Sequence, residues 1–195
     1  MHLPLPLILG SSSPFRKELL SRLQLPFDTC SPDIDESRLD EESPQQLVDR
    51  LSREKAAEVA HNYPAHLIIG SDQVAVIDGD ILGKPGSHKN ASRQLATASG
   101  KNVQFLTGLT LLNSSSGESQ TEVIPFHVHF RDLSNERIER YLHTEEPYNC
   151  AGSFKSEGLG ITLFERLEGD DPSALMGLPL IRLVHMLEQQ GAQFP

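Results

Sequence analysis

Cysteine is scarce in this 195-residue sequence, with only Cys30 and Cys150 present. They lie far apart and outside any CxxC or Cys/His spacing, which argues against a disulfide framework or a zinc site and for buried, reduced thiols. Basic residues are also few: 17 Lys and Arg against 27 Asp and Glu leave a net charge of −10. A nucleic-acid partner is therefore not expected, because such a surface is basic. A small anionic ligand is still allowed, since a phosphate site needs only a few placed cations and backbone amides. No apolar run approaches the length that crosses a bilayer, and "MHLPLPLILG" lacks a basic n-region and a small-residue cleavage site. The expectation is a soluble, cytoplasmic protein with no membrane partner. Internal repeats, low-complexity linkers and the Walker pattern GxxxxGK[ST] are all missing. What remains, at 37% hydrophobic and 23% charged residues, is an ordinary globular composition. The length suits one domain, 1–195, or one domain with two lobes.

The first chemistry-bearing stretch is "GSSSPFRKELL", residues 10–20. It follows the apolar run "LPLILG", which reads as a strand. Ser13 can cap a helix, Pro14 suits its first position, and Leu19, Leu20 and Leu23 supply an apolar face. Amides at a helix start have no intrahelical partners and point toward any anion beside the loop. Ser11, Ser12 and Ser13 add hydroxyls, and Arg16 and Lys17 add charge in the first turn, where cations oppose the helix dipole and call for a compensating anion. A solvated cap with surface cations is the competing reading.

A stretch that reads as a strand, "FDTCSP", and an acidic loop, "DIDESRLDEESP", come next. Ser43 and Pro44 start a second helix running to about Asn62, with Leu47, Val48, Leu51 and Val59 on one arc and Lys55 inside it. That lysine either snorkels to water or points at an anion in a cleft. In "HLIIGSDQVAVIDGDILGKP" the runs "LIIG" and "VAVI" are strand-like, and Asp78-Gly79 is a tight-turn pair. Between the runs, Asp72 shares a face with Ile68, Val74 and Val76, where a carboxylate is costly unless a cation or metal pairs with it. It is either a partnered structural residue or a functional one; Lys84 in "LGKP" offers one cation.

Farther on, "ASRQLATASG" reads as a helix, "NVQFLTGLTLLN" and "TEVIPFHVHFR" as strands paired across the turn "SSSG", and "SNERIERYLHTE" as a capped helix. "EEPYNC" reads as a turn and "CAGSFKSEGLG" as a glycine-rich loop. "ITLFERLEG" reads as a strand, and "DPSALMGLPLIRLVHMLEQQG" as a terminal helix interrupted at MGLP. His127 and His129 share one strand face; they could chelate a metal, though an exposed polar face explains them more simply. The residues that stand out are Arg16, Glu36, Lys55, Asp72 and Lys84. Two carboxylates and three cations near loops and strand ends suit metal-assisted phosphoryl chemistry.

These stretches resemble the Maf nucleotide pyrophosphatases. "SSSPFRKELL" is similar to their SxSPRRxxLL signature, "DIDES" to their xDE segment, "REKA" to their helical lysine motif, "GSDQVAV" to (A/S)DxxV, and "LGKP" to GKP. The likeness continues through "CAGSFKSEGLG" to "MGLPL", covering nearly the whole chain. An aromatic residue after the first-loop proline, DQ in the central motif and SEG in the glycine-rich loop are marks of the YceF-type subfamily, the 7-methyl-GTP pyrophosphatases. The resemblance implies an α/β fold: an elongated mixed sheet flanked by helices, with two lobes around a central cleft as in inosine-triphosphate pyrophosphatases. It also implies a homodimer, a nucleoside triphosphate substrate, and a divalent cation, magnesium or manganese.

Carried over by position, the resemblance makes Asp72 the proton acceptor for the attacking water and Glu36 its companion in holding the metal. Lys55, Lys84 and Arg16 bind the triphosphate beside Ser11 and Ser13, and Phe15, Gln73 and Glu157 set base preference. Phe15 departs from the tryptophan of near members, which weakens stacking on the base. A cationic N7-methylated guanine favours an aromatic face and a carboxylate, and Glu157 can accept from the N–H groups of the guanine edge. Two other readings compete: the same reaction on dTTP or UTP, whose enzymes carry Arg at the Phe15 position and Gln at the Glu157 position, and a regulatory role in arresting septum formation.

Overall fold

In the computed structural model, which describes residues 2–195, the strand-like and amphipathic stretches fold into β1 (Leu7–Gly10), α1 (Pro14–Ser21), β2 (Asp28–Cys30), α2 (Pro44–Ala60), β3 (Leu67–Ile77), β4 (Asp80–Leu82), α3 (His88–Ala98), β5 (Asn102–Asn113), β6 (Ser119–Phe130), α4 (Asn135–Glu145), β7 (Phe164–Glu168) and α5 (Leu180–Gln189). Single 3₁₀ turns occupy Ala151–Ser153, Leu159–Leu163 and Pro172–Met176. The strands form one mixed sheet in the order β2-β1-β3-β5-β6-β7, with β4 paired to β3 beside that path. The class is α/β, as the alternation of patterns implies. No helix among the described residues is long and apolar enough to cross a membrane.

Two compact units divide the chain. The first comprises the residues up to Gln73, Thr107–Ile124 and Asp171–Pro195; the second comprises Val74–Leu106 and Pro125–Asp170. In the first unit β1 lies between β2 and β3, parallel to both, with Gly10 beside Gly70 and Cys30. A parallel strand buried on both faces must be apolar on both, and "LILG" is. Period-2 alternation sends Leu7, Leu9, Leu67 and Ile69 into a core with Leu183, Met186 and Leu187 of α5. Ile8 and Ile68 point the other way, against Ala56 and Val59 of α2.

Helix α2 starts where the sequence places it. Ser43 Oγ accepts from the Gln46 amide at 3.2 Å, and Gln46 Oε1 accepts from the Ser43 amide at 2.9 Å, a reciprocal cap. It then lies unusually close to the sheet. A Cβ on Gly70 would sit 2.0 Å from Ser52 O, and one on Gly108 would sit 2.1 Å from Val48 O, so only glycine permits the approach at either strand. A buried 2.9 Å hydrogen bond between Ser52 Oγ and Thr110 Oγ1 fixes the helix in that position.

In the second unit β4 folds back on β3 through Asp78 and Gly79, both at positive φ (52° and 91°), which is the geometry an Asp-Gly hairpin turn requires. Phe154, from the glycine-rich loop, packs edge-on against Phe105, Phe130 and Phe164, with ring centroids 5.4, 5.6 and 4.8 Å away. This one side chain plugs the loop into the unit's core.

"LIIG" and "VAVI" run through Asp72 as one strand of 11 residues, because the polar trio Ser71-Asp72-Gln73 finds partners without leaving the β conformation. Two readings need correction. "ITLFERLEG" becomes a strand only at Phe164. Ahead of it the Leu159 amide donates to Glu145 Oε2 (2.7 Å) and the Gly160 amide to Lys155 O (3.1 Å), curling the chain first. Cys30 and Cys150 are free thiols, but half-buried rather than buried.

Candidate active site

The close seat of α2 on β3 has a direct chemical consequence. Lys55 and Asp72 face each other across the Gly70 contact, and Lys55 Nζ donates to Asp72 Oδ1 at 2.7 Å. Both are buried, at 6% and 8% exposure. Lys55 therefore does not snorkel, and the cation that pairs with Asp72 is Lys55 rather than Lys84. Taking both charges out of water is costly, and removing one would leave the other buried and uncompensated. The same ammonium lies 2.8 Å from Glu36 Oε1, so two carboxylates converge on one cation.

Glu36 comes from the acidic loop and is itself 61% exposed at the side chain, so it reaches in from solvent. Its loop is held by a residue the sequence reading did not single out. Arg50, on α2, grips Glu42 with two hydrogen bonds, Nε to Oε1 at 2.7 Å and Nη2 to Oε2 at 2.9 Å. It also donates to Ser37 O at 3.0 Å. Glu42 in turn accepts from the Leu39 amide (3.0 Å), and Arg38 donates to Glu42 O (2.6 Å). The hydrogen bond from Arg50, helped by the Leu39 amide, holds the Glu42 carboxyl below its ordinary range, and Glu42 raises the Arg50 guanidinium in return. The loop is thus laced to α2 on one side of Glu36. Nothing in local periodicity marks this pair, which spans the start of a helix.

Arg16 enters from α1. Ser13 caps that helix, its Oγ accepting from the Arg16 amide at 3.4 Å. Ser11 Oγ accepts from the Ser13 amide at 3.1 Å and from Arg16 Nη1 at 3.4 Å. Burial lowers the Arg16 guanidinium, while the negative charges of Asp72 and Glu36 push it back up. The anion that a cation at a helix start calls for is thus supplied from within the protein. Arg16 Nε is aimed by a hydrogen bond to Gly177 O at 2.8 Å, and the same carbonyl accepts from Ser71 Oγ at 2.9 Å. Gly177 sits at φ 96°, so the interruption in the terminal pattern turns a carbonyl toward the first loop. Buried Asp171 anchors this turn, accepting from Ser173 Oγ at 2.6 Å and from the Ile181 amide at 2.8 Å.

Ser11, Ser13, Arg16, Glu36, Lys55 and Asp72 are therefore linked within the first unit. Phe15 is half-buried on the first turn of α1. Gln73 is committed in part: its amide nitrogen donates to Thr107 Oγ1 (2.9 Å) and Ala174 O (2.7 Å), holding the Pro172–Met176 turn. Lys84 and Glu157 belong to the second unit, and each is exposed there. Both are felt by the half-buried Cys150 thiol, which burial raises first, with Glu157 raising it and Lys84 lowering it.

Two carboxylate oxygens directed at one cation, with an arginine and a serine-rich loop beside them, form a donor set for a hard divalent ion and phosphate oxygens. A model of the Maf-like protein family matches residues 6–190. A protein of Pseudomonas syringae pv. tomato is 60% identical over 189 residues, 97% of this chain and 98% of that one. A protein of Alcanivorax borkumensis is 60% identical, covering 97% of this chain and 96% of its own. A Pseudomonas putida protein is 56% identical over 191 residues, 98% of this chain and all of its own. All three bear the name 7-methyl-GTP pyrophosphatase.

Proposed function

This chain belongs to the Maf-like protein family, and we propose that it is a nucleoside triphosphate pyrophosphatase whose substrate is 7-methyl-GTP. The observation that carries the reading is the shared ammonium: Lys55 Nζ, 2.7 Å from Asp72 and 2.8 Å from Glu36. Names of relatives at 56–60% identity over nearly full length support the substrate.

In this reading water attacks phosphorus, the bond between the α- and β-phosphates breaks, and pyrophosphate leaves with the bonding electrons. Asp72 accepts the proton of the attacking water. Its buried ion pair with Lys55 orients it for that transfer. Arg16, Lys55 and Lys84 bind phosphate oxygens, and Ser11 and Ser13 shape the loop beside them. Glu36 and Asp72 would hold the magnesium or manganese ion; two carboxylates, with the remaining positions left to water and substrate phosphates, is the donor set such ions take. The ion, when bound, neutralises charge developing on the leaving pyrophosphate. Phe15 and Glu157 meet the base, where a cationic methylated guanine gains from a ring face and a carboxylate. The carboxamide of Gln73 belongs to the same base-side group. Homodimerisation, which rests on the family resemblance, and the cytoplasmic location expected from the sequence complete the reading.

The test is pyrophosphate release across a nucleotide panel with magnesium, with manganese and after chelation. The expected result is fastest release from 7-methyl-GTP, none in chelator, and recovery on adding metal back. Orthophosphate with a nucleoside diphosphate as products would reject the cleavage site, and faster turnover of dTTP or UTP would reject the substrate.

A further inference from the structure

The second unit brings together a cluster that the pyrophosphatase reading does not use. Glu139 and His143 stand four residues apart on α4, hence on one face, and His88 is the first residue of α3, which packs against α4. His88 Nε2 lies 2.7 Å from Glu139 Oε2, and His143 Nε2 lies 3.8 Å from the same oxygen. The two imidazoles are 5.0 Å apart between centroids, tilted by 36°. One ligand atom from each of the three residues falls within 4.8 Å of the others.

We propose that His88, Glu139 and His143 form a zinc-binding site joining α3 to α4. Zinc takes imidazole nitrogen and carboxylate oxygen at about 2.0–2.2 Å in tetrahedral geometry, which separates neighbouring donor atoms by about 3.3 Å. The present separations bracket that value. His143 is exposed, with 74% of its side chain accessible, so a rotation that tightens the site is open to it.

The orientation of His88 is the most specific feature. The Tyr148 hydroxyl donates to Leu142 O at 3.4 Å and lies 3.0 Å from His88 Nδ1, where it can accept from the ring in the tautomer that carries its hydrogen on Nδ1. In that tautomer the Nε2 lone pair points into the cluster. A lone pair 2.7 Å from a carboxylate oxygen is repulsive unless a proton or a metal ion lies between them. A zinc ion on that lone pair meets the same requirement. Tyr148 then plays the part that an outer hydrogen-bond partner plays for a metal-bound imidazole, fixing tautomer and ring plane.

Ser92 does the same for the carboxylate, donating to Glu139 Oε1 at 3.1 Å and leaving Oε2 as the ligand atom. Two imidazoles and one carboxylate form a borderline donor set that favours zinc over magnesium, which prefers oxygen alone. Three protein ligands leave a fourth position for water or an added ligand.

The site also has a mechanical consequence. The Gly86 amide donates to Tyr148 O at 2.9 Å, and Asn90 Nδ2 donates to Pro85 O at 2.9 Å, so the segment between Lys84 and α3 hangs on the same anchor. Zinc would tie that segment to α4.

The test is calorimetric titration of the chelator-stripped protein with zinc in saturating magnesium, repeated with His143→Ala and Glu139→Gln. One equivalent should bind and raise the melting temperature, and each substitution should weaken that binding by about tenfold or more. His143→Ala should leave magnesium-dependent pyrophosphate release unchanged, which separates failure of this site from failure of the catalytic reading. Cobalt in place of zinc should show the intense visible absorption of a tetrahedral site in the wild type and lose it in His88→Ala. No zinc binding to the wild type, or binding of equal strength in the His143 and Glu139 variants, would overturn the proposal and leave the cluster a surface ion pair.

Discussion

Lys55 Nζ and Asp72 Oδ1 are 2.7 Å apart although 17 residues separate them in sequence, and both side chains are buried. A helix residue and a strand residue meet because α2 rests directly on the backbone of β3 at Gly70. Asp72→Asn retains the shape but removes both the negative charge and the proton acceptor. Turnover of 7-methyl-GTP should fall by about two orders of magnitude or more while the far-ultraviolet circular dichroism stays native. Lys55→Met should cost stability as well as activity, because it leaves Asp72 buried without its cation; the loss should approach about 3 kcal/mol in a urea titration. If Asp72→Asn turns over at the wild-type rate, Asp72 is not the base.

The contact at Gly70 is testable by itself. Its Cβ would fall 2.0 Å from Ser52 O and 2.9 Å from Ala56 N, both backbone atoms of α2 that cannot rotate away. Gly70→Ala should therefore push the helix off the strand, destabilising by about 1–3 kcal/mol or more and lowering kcat as Lys55 leaves Asp72. A thermal melt and a steady-state assay on one preparation measure both effects. A variant with wild-type Tm and kcat would show that the helix can yield at this contact.

Glu42 couples the acidic loop to pH. Its folded-state pKa lies below the unfolded value, chiefly through Arg50, so its stabilising effect is complete above the ordinary glutamate value of about 4.3. That effect is lost as pH falls through the depressed folded value. The Leu39 amide, which donates to Glu42 Oε2 at 3.0 Å, should lose hydrogen-exchange protection on acidification through this window. In Glu42→Gln the same amide should be poorly protected at every pH, and kcat should drop because Glu36 is no longer positioned. Retained protection in the variant would assign the order of the loop to other contacts.

Base selection should separate from phosphate binding. Glu157→Gln and Phe15→Arg should lower kcat/KM for 7-methyl-GTP more than for dTTP or UTP, each by roughly one order of magnitude or less, since such contacts are worth on the order of 1 kcal/mol. Lys55→Ala should depress all substrates by a similar factor, because the triphosphate is common to them. A 7-methyl-GTP to dTTP ratio unchanged in both the Phe15 and the Glu157 variants would move the base pocket elsewhere.

Local chemistry by itself determined much of this protein. Period-2 apolar runs set which side chains of β1 and β3 are buried, Ser13 and Ser43 with the following prolines set where α1 and α2 begin, and Asp78-Gly79 set the hairpin. Even the need of Asp72 for a cation followed from its apolar neighbours. Which cation answered was decided only in three dimensions. Lys84 stands in the motif nearest after Asp72, but Lys55 sits on the helix that Gly70 admits to the strand. The same holds for the Arg50 grip on Glu42, for the Gly177 carbonyl that aims Arg16, and for the histidines. The paired His127 and His129, conspicuous in sequence, bond to Asn102 and Glu168 separately, while His88, 51 residues from Glu139, joins it and His143. Periodicity encodes the face a residue occupies, because that depends on a few backbone angles. The partner on the opposing face depends on which elements stack and how closely, and parallel strands joined by long crossovers leave that to the packing of the whole sheet.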